Sequence, residues 1–185
     1  DLQSVARAVV FFFVRGGGST ITQQLAKLLF TGKRADNKIK AVFQKLKEWV
    51  VAVSLEKRYT KEEIVTLYFN KFDFLYNANG IEMASRIYFN KKTSELTLPE
   101  ATMFVAMLEN PVKNNPMRNP ERAKARRDVV LDQMLKTGYI DQATFDKAIA
   151  APIVLDYHPI KNINDDYSAY YKFYLRKEID KYLEA

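Results

Sequence analysis

The stretch Ile39-Lys40-Ala41-Val42-Phe43-Gln44-Lys45-Leu46-Lys47-Glu48-Trp49-Val50-Val51-Ala52-Val53 decides the fold class. Ile39, Val42, Phe43, Leu46, Trp49, Val50 and Val53 recur at steps of three and four, the spacing of one helical face. The same period continues outward. Upstream, Ile21, Leu25, Leu28 and Leu29 share a face behind Ser19-Thr20, hydroxyl residues suited to capping a helix start. Downstream, Thr60-Lys61-Glu62-Glu63 is a capping box that opens a helix through Ile64, Leu67 and Tyr68. Residues 80–89 suit a short helix, and Thr97-Leu98-Pro99-Glu100 repeats the capping pattern before residues 101–108. Asn119-Pro120 opens a helix through Met134 that Gly138 closes, and Asp141 caps another reaching Ala150. Residues 151–165, with two prolines, read as an extended linker, and the Tyr-rich residues 167–183 as helical. No alternating strand pattern competes and no internal repeat is visible, so the expected fold is mostly α.

At 185 residues the chain can bury a real core. It carries 29 Lys and Arg against 22 Asp and Glu, a net charge of +7, which calls for an anionic partner: nucleic acid, a phosphate-bearing substrate or a membrane surface. Cysteine is absent and His158 is the single histidine, which excludes a disulfide framework, a Cys–His dyad and a zinc cluster. No run approaches the ~18 apolar residues of a membrane span. The nearest, Val9 to Val14, is far too short, and the chain, opening on Asp1 without Met, reads as a fragment.

Three segments could carry chemistry. In Gly16-Gly17-Gly18-Ser19-Thr20-Ile21-Thr22-Gln23-Gln24, glycines that permit close backbone approach precede hydroxyl and amide donors, with Lys27 one turn beyond Gln23. A plain glycine turn and N-cap is the alternative reading, and the spacing is not that of a Walker phosphate loop. The basic run Lys33, Arg34, Lys38, Lys40, Lys45 and Lys47 ends at Glu48, one turn from Lys45. Such a set could hold a diphosphate, directly or through a divalent metal, although charge alone favours a solvated helix face. Residues 110–120, alternating Asn and Pro, form a shaped loop between helices. Ser54-Leu55-Glu56-Lys57 matches the Ser-x-x-Lys nucleophile pattern but lies inside a helix, with no Lys-Thr-Gly or Ser-Asp-Asn companion in the chain.

Taken together these segments resemble the peptidoglycan glycosyltransferases, glycosyltransferase family 51. Gly17-Gly18-Ser19-Thr20-Ile21-Thr22-Gln23-Gln24-Leu25-Ala26-Lys27 resembles that family's second motif, and Lys45-Leu46-Lys47-Glu48 the third, with Gln44 where the family usually has Arg. Lys61-Glu62-Glu63-Ile64-Val65-Thr66-Leu67-Tyr68-Phe69-Asn70 resembles the fourth, continued by residues 80–89. Residues 98–120 with Arg126-Arg127 and Val130-Leu131 resemble the fifth. The blocks stand in the family's order.

The resemblance implies a lysozyme-like helical domain over residues 1–150, anchored by an N-terminal transmembrane helix on the outer face of the bacterial cytoplasmic membrane. Residues 151–185 would lead toward a transpeptidase domain, as in bifunctional class A penicillin-binding proteins. The implied reaction polymerises lipid II into glycan strands with release of undecaprenyl diphosphate. Glu48 is the implied catalytic carboxylate within these residues, the general-base Glu of the first motif being expected upstream of Asp1. Ser19, Thr20, Gln23, Gln24, Lys27, Lys40, Lys45 and Asn70 are the implied substrate-binding residues. The implied partners are lipid II, the lipid-linked strand, the membrane surface and the inhibitor moenomycin, with no nucleic acid. No cofactor is required by the resemblance; a divalent cation, Mg or Mn, at the diphosphate is the one left open. Two alternatives stand beside this reading: a lysozyme-like glycan hydrolase, which needs two carboxylates flanking a bond, and a basic helical nucleic-acid-binding module, which only the net charge supports.

Overall fold

The computed structural model describes residues 20–31 and 37–159. Ser19, Lys33, Arg34, the apolar run before Gly16 and the Tyr-rich residues 167–183 lie outside the described residues. The chain divides between Lys71 and Phe72 into two compact units.

In the first unit, α1 (Ile21–Ala26) starts where expected: the Thr20 hydroxyl accepts the Gln23 N–H at 3.2 Å. It runs into a π-helical turn, Lys27–Thr31. The wider turn breaks the 3.6-residue register after Ala26, so Leu25 is buried whereas Leu29 is exposed; Ile21, at the open first turn, is exposed as well. Helix α2 spans Lys38–Arg58, its start held by Asn37 accepting from the Ile39 N–H at 3.0 Å. Ser54 and Lys57 lie exposed on it. Helix α3 (Lys61–Lys71) opens with the expected capping box: the Thr60 N–H donates to Glu63 Oε2 at 2.8 Å and the Glu63 N–H to Thr60 Oγ1 at 3.2 Å. Reciprocal bonds of this kind satisfy two N–H groups that the helix cannot. α3 buries Ile64 and Tyr68, while Leu67 is exposed.

Helix α2 departs from the simple reading of its period. Ile39, Val42, Phe43, Leu46, Val50 and Val53 are exposed, and the buried residues on it are Glu48 and Ala52. The helix is present, but its apolar stripe faces outward.

The second unit, described over residues 72–159, is packed conventionally. Helix α4 (Ile81–Phe89) ends at Asn90 in the left-handed conformation, φ 53°. A 3-10 turn, Thr93–Glu95, leads to α5 (Leu98–Met107), which opens with Pro99 in its first turn and the expected Thr97/Glu100 capping box. Helix α6 (Pro120–Lys136) follows the Asn/Pro loop and ends before Gly138, whose φ of 77° favours a residue without Cβ. Helix α7 (Gln142–Ala150) is capped by Asp141, which accepts from the Thr144 N–H at 2.8 Å. The core is aromatic: Phe74, Tyr88 and Phe89 meet Phe104 edge-on at 5.2, 5.9 and 5.4 Å. Such pairs add about 0.5–1.5 kcal/mol each beyond burial.

Residues 151–159 carry neither helix nor strand and are tied down: the Asp156 and His158 N–H groups donate to Tyr88 O at 3.0 Å and Ile87 O at 2.8 Å. Among the described residues the regular structure is seven α-helices with short π and 3-10 turns, and the mostly-α expectation holds. None of these helices is long and apolar enough to cross a membrane.

Candidate functional site

The candidate residues of the first unit lie on helices whose local sequence places them. Thr20 uses its hydroxyl as the cap of α1, which sets the first turn bearing Gln23 and Gln24. Lys27 is the C-cap of α1 and exposed, its N–H bonded to the Gln23 and Gln24 carbonyls. On α2, Lys40 is exposed and Lys45 partly buried. Asn70 is exposed near the end of α3.

Glu48 is the centre of the arrangement. Only 4% of it is exposed, on a helix most of whose large apolar residues face outward. Lys45 Nζ donates to Glu48 Oε2 at 3.0 Å and Gln44 Nε2 to Glu48 Oε1 at 3.5 Å. A buried carboxylate requires partners of this kind, because a charged or polar group taken out of water is costly unless it is hydrogen-bonded. One turn of sequence, Gln44 to Glu48, therefore builds a buried carboxyl group with the Lys45 ammonium docked on it. The expected Lys45–Glu48 pairing is observed. Gln44, standing where a cation is usual, reaches the carboxylate with a neutral amide instead.

Two hollows flank this turn. One, of about 330 Å³, is lined by Phe30, Lys40, Phe43, Gln44 and Lys47. The other, of about 350 Å³, is lined by Phe30, Lys47, Glu48, Val50 and Val51. Phe30 and Lys47 belong to both, so cations and apolar side chains meet along one helix face. Sequence reasoning placed Lys47 in the basic run without singling it out and did not single out Phe30. Tyr68 was a second omission: its hydroxyl donates to Gln24 Oε1 at 2.7 Å. At helical spacing among apolar residues, Tyr68 carries the signal of a core residue and nothing more.

In the second unit the Asn/Pro loop is built by its asparagines. Asn114 Nδ2 donates to Ala106 O at 3.0 Å and to Glu109 Oε2 at 3.1 Å, and Asn115 Nδ2 to Tyr88 Oη at 2.7 Å. Both asparagines are buried. Arg127, fully buried, donates from Nη1 to Ala151 O at 2.9 Å and from Nη2 to Ile149 O at 3.2 Å, with Asp128 as its ion-pair partner at 2.8 Å. It ties the end of α7 to α6, a structural task. Among the described residues no three His, Asp or Glu side chains gather into a group that could hold a metal.

The Transglycosylase family model matches residues 1–135, and the chain belongs to that family. It is 37% identical over 159 residues to Penicillin-binding protein 1A of Aquifex aeolicus, an alignment covering 84% of this chain and 21% of that protein. It is likewise 37% identical over 163 residues to Penicillin-binding protein 1A of Pseudomonas aeruginosa, covering 85% and 19%. Against the crystal structure of Penicillin-Binding Protein 1A from Haemophilus influenzae the TM-score is 0.48 at 27% identity, covering 86% of this chain and 20% of that one. The chain thus spans about a fifth of the length of the curated relatives it matches.

Proposed function

We propose that these residues belong to a peptidoglycan glycosyltransferase that polymerises lipid II into glycan strands on the outer face of the bacterial cytoplasmic membrane. The observation that carries the reading is the buried Lys45–Glu48 pair beside cation-lined hollows, in a chain of the Transglycosylase family. A glycosyl transfer with a lipid diphosphate leaving group needs positive charge where the diphosphate departs and donors that fix the sugar. Lys27, Lys40 and Lys45 meet the first need. Thr20, Gln23 and Gln24, with Ser19 outside the described residues, would serve the donor, and Asn70 would add a further substrate contact. Glu48 is already committed to Lys45 and Gln44, which suits a carboxylate that orients a cation at the diphosphate. Proton abstraction from the acceptor hydroxyl falls to the family's first motif.

The outward apolar stripe of α2 supports a membrane surface as partner, because apolar side chains beside lysines suit the boundary of an anionic bilayer. A divalent cation, Mg or Mn, would arrive with the diphosphate and be held mainly by its phosphates, because both oxygens of Glu48 are taken by Lys45 and Gln44 and a metal would have to displace one of them. Moenomycin, a phosphate-bearing lipid-sugar, would occupy the same cleft. Residues 1–150 would form the catalytic part and 151–185 the run toward a transpeptidase domain.

The test is incubation of the full-length, detergent-solubilised protein with labelled lipid II and separation of the products on a gel. Glycan ladders are expected. Unreacted substrate alone, from folded protein, overturns the reading.

A further inference from the structure

The two hollows beside α2 follow one another along a single helix face. Lys40, Gln44, Lys47 and Val51 recur on it at steps of three and four, with Phe43 and Val50 along its border. At 1.5 Å per residue, Lys40 to Val51 covers roughly 16 Å of helix axis. Polarity changes along that run. The hollow of about 330 Å³ has two ammonium side chains on its wall, Lys40 and Lys47. The hollow of about 350 Å³ keeps Lys47 and adds Val50 and Val51, and Phe30 is common to both. Among the described residues neither Lys40 nor Lys47 has an ion-pair or hydrogen-bond partner. Glu48 also borders the second hollow, but it is 4% exposed and its oxygens accept from Lys45 and Gln44.

We propose that this face is the subsite for the polyprenyl chain of the lipid-linked substrate: Lys40 and Lys47 hold the diphosphate end, and Phe30, Val50 and Val51 cradle the carbons next to it. The inference rests on the glycosyltransferase reading and adds where the carrier chain lies and which way it runs. Charge complementarity selects the occupant. Two ammonium groups without partners at one end of an apolar hollow suit an amphiphile with a concentrated anionic head. Lys47, shared by both hollows, marks the point where head gives way to chain. A methylene is close to a water molecule in size, and at roughly 30 Å³ each the second hollow holds on the order of ten carbons. That is the length of a pair of isoprene units, so the subsite grips the head-proximal carbons and leaves the rest of a long chain to the membrane.

The experiment measures the affinity of the full-length, detergent-solubilised protein for two soluble probes, inorganic diphosphate and geranyl diphosphate, which adds a chain of that length. Wild-type protein should bind geranyl diphosphate about tenfold more tightly or better, the gain from burying roughly two methylene groups. Val50→Ser and Phe30→Ala should each remove most of that gain. Both side chains are exposed, so the melting temperature should hold. Lys47→Gln should weaken both probes by the same factor, about tenfold, and leave the chain's gain in place. Val53→Ser, exposed on the same helix and lining neither hollow, should keep the gain whole. In polymerisation the Val50→Ser loss should show in the KM for lipid II and not in kcat, as for an interaction kept unchanged through the reaction. Equal affinity of wild-type protein for the two probes, a gain that survives both Val50→Ser and Phe30→Ala, or unchanged diphosphate binding by Lys47→Gln overturns the proposal. Dihexanoyl phosphatidylglycerol tests the bilayer alternative: if it binds as tightly as geranyl diphosphate and responds to the same substitutions, the face is a membrane contact and the proposal falls. Wild-type protein that keeps the geranyl gain but does not polymerise lipid II sinks the glycosyltransferase reading instead and leaves the chain subsite standing.

Discussion

In residues 72–159 the large aromatic side chains turn inward, Phe74, Tyr88, Phe89 and Phe104 packing ring against ring, and the one fully buried charged residue, Arg127, is bonded on every side the fold offers. In residues 20–71 helix α2 does the opposite, turning Ile39, Phe43 and Val50 outward and burying Glu48. Val50 is 72% exposed and Glu48 4%, two residues apart on the same helix. The second unit has the arrangement of a domain optimised for its own stability. The first gives up apolar burial along one helix to keep a carboxylate out of water and cations at its edge, and such departures from the ordinary rule cluster where function resides.

The sharpest way to break the comparison is to exchange the roles of the two buried charges. Arg127→Ala should destabilise the protein by about 3 kcal/mol, because the Ala151 and Ile149 carbonyls lose their donors and a void is left, while Asp128 keeps Lys124; the loss is read as a lowered midpoint in chemical denaturation. A loss below about 1 kcal/mol would remove Arg127 as the second unit's tether. Glu48→Gln keeps the shape but leaves Lys45 without its counter-charge, so it should cost about 1–3 kcal/mol of stability, and it should lower lipid II polymerisation per folded molecule roughly 100-fold. If it instead unfolds the protein while specific activity survives, Glu48 is structural and the contrast between the units disappears.

Smaller effects sharpen the comparison. Lys27→Ala and Lys45→Ala should each weaken moenomycin binding about tenfold, measured by fluorescence anisotropy at fixed salt. Lys136→Ala should not, because Lys136 sits paired with Asp132 at 2.7 Å on the exposed end of α6. Equal affinities in all three would make the basic cluster a solvated face.

Leu75→Gly tests the second unit. Leu75, Tyr76 and Asn77 stand in succession at φ 68°, 53° and 64°, a left-handed run in which Asn is tolerated and Leu is not. Glycine at Leu75 should raise stability by about 1 kcal/mol in thermal or chemical unfolding. A loss would mean that the half-buried side chain outweighs the strain. Smallest of all, Val50→Ser should change stability by no more than about 0.5 kcal/mol, since the residue is already in solvent. A drop of several times that would show α2's stripe to be core.

Local signals were read correctly because local physics decides them. The Thr60/Glu63 and Thr97/Glu100 boxes, the Thr20 and Asp141 caps and the stop at Gly138 are each settled within four residues of chain. The Lys45–Glu48 pair was legible for the same reason, being one helical turn. The fate of α2's apolar stripe was not, because a 3.6-residue period says that a helix has a face and is silent on whether protein covers it. The π turn after Ala26 leaves no mark in the periodicity, and the left-handed run at residues 75–77 contains no glycine to announce it.

The sequence by itself determined the helical class, most helix boundaries, the order of the motif blocks and the family to which they belong, because capping, periodicity and short-range pairing act between near neighbours. Tertiary structure alone decided that Glu48 is buried while Val50 is not, that Tyr68 bonds Gln24, and that Arg127 holds the end of α7. Burial and long-range hydrogen bonding depend on which surfaces meet. Residues 44 positions apart carry no record of their meeting until the chain has folded.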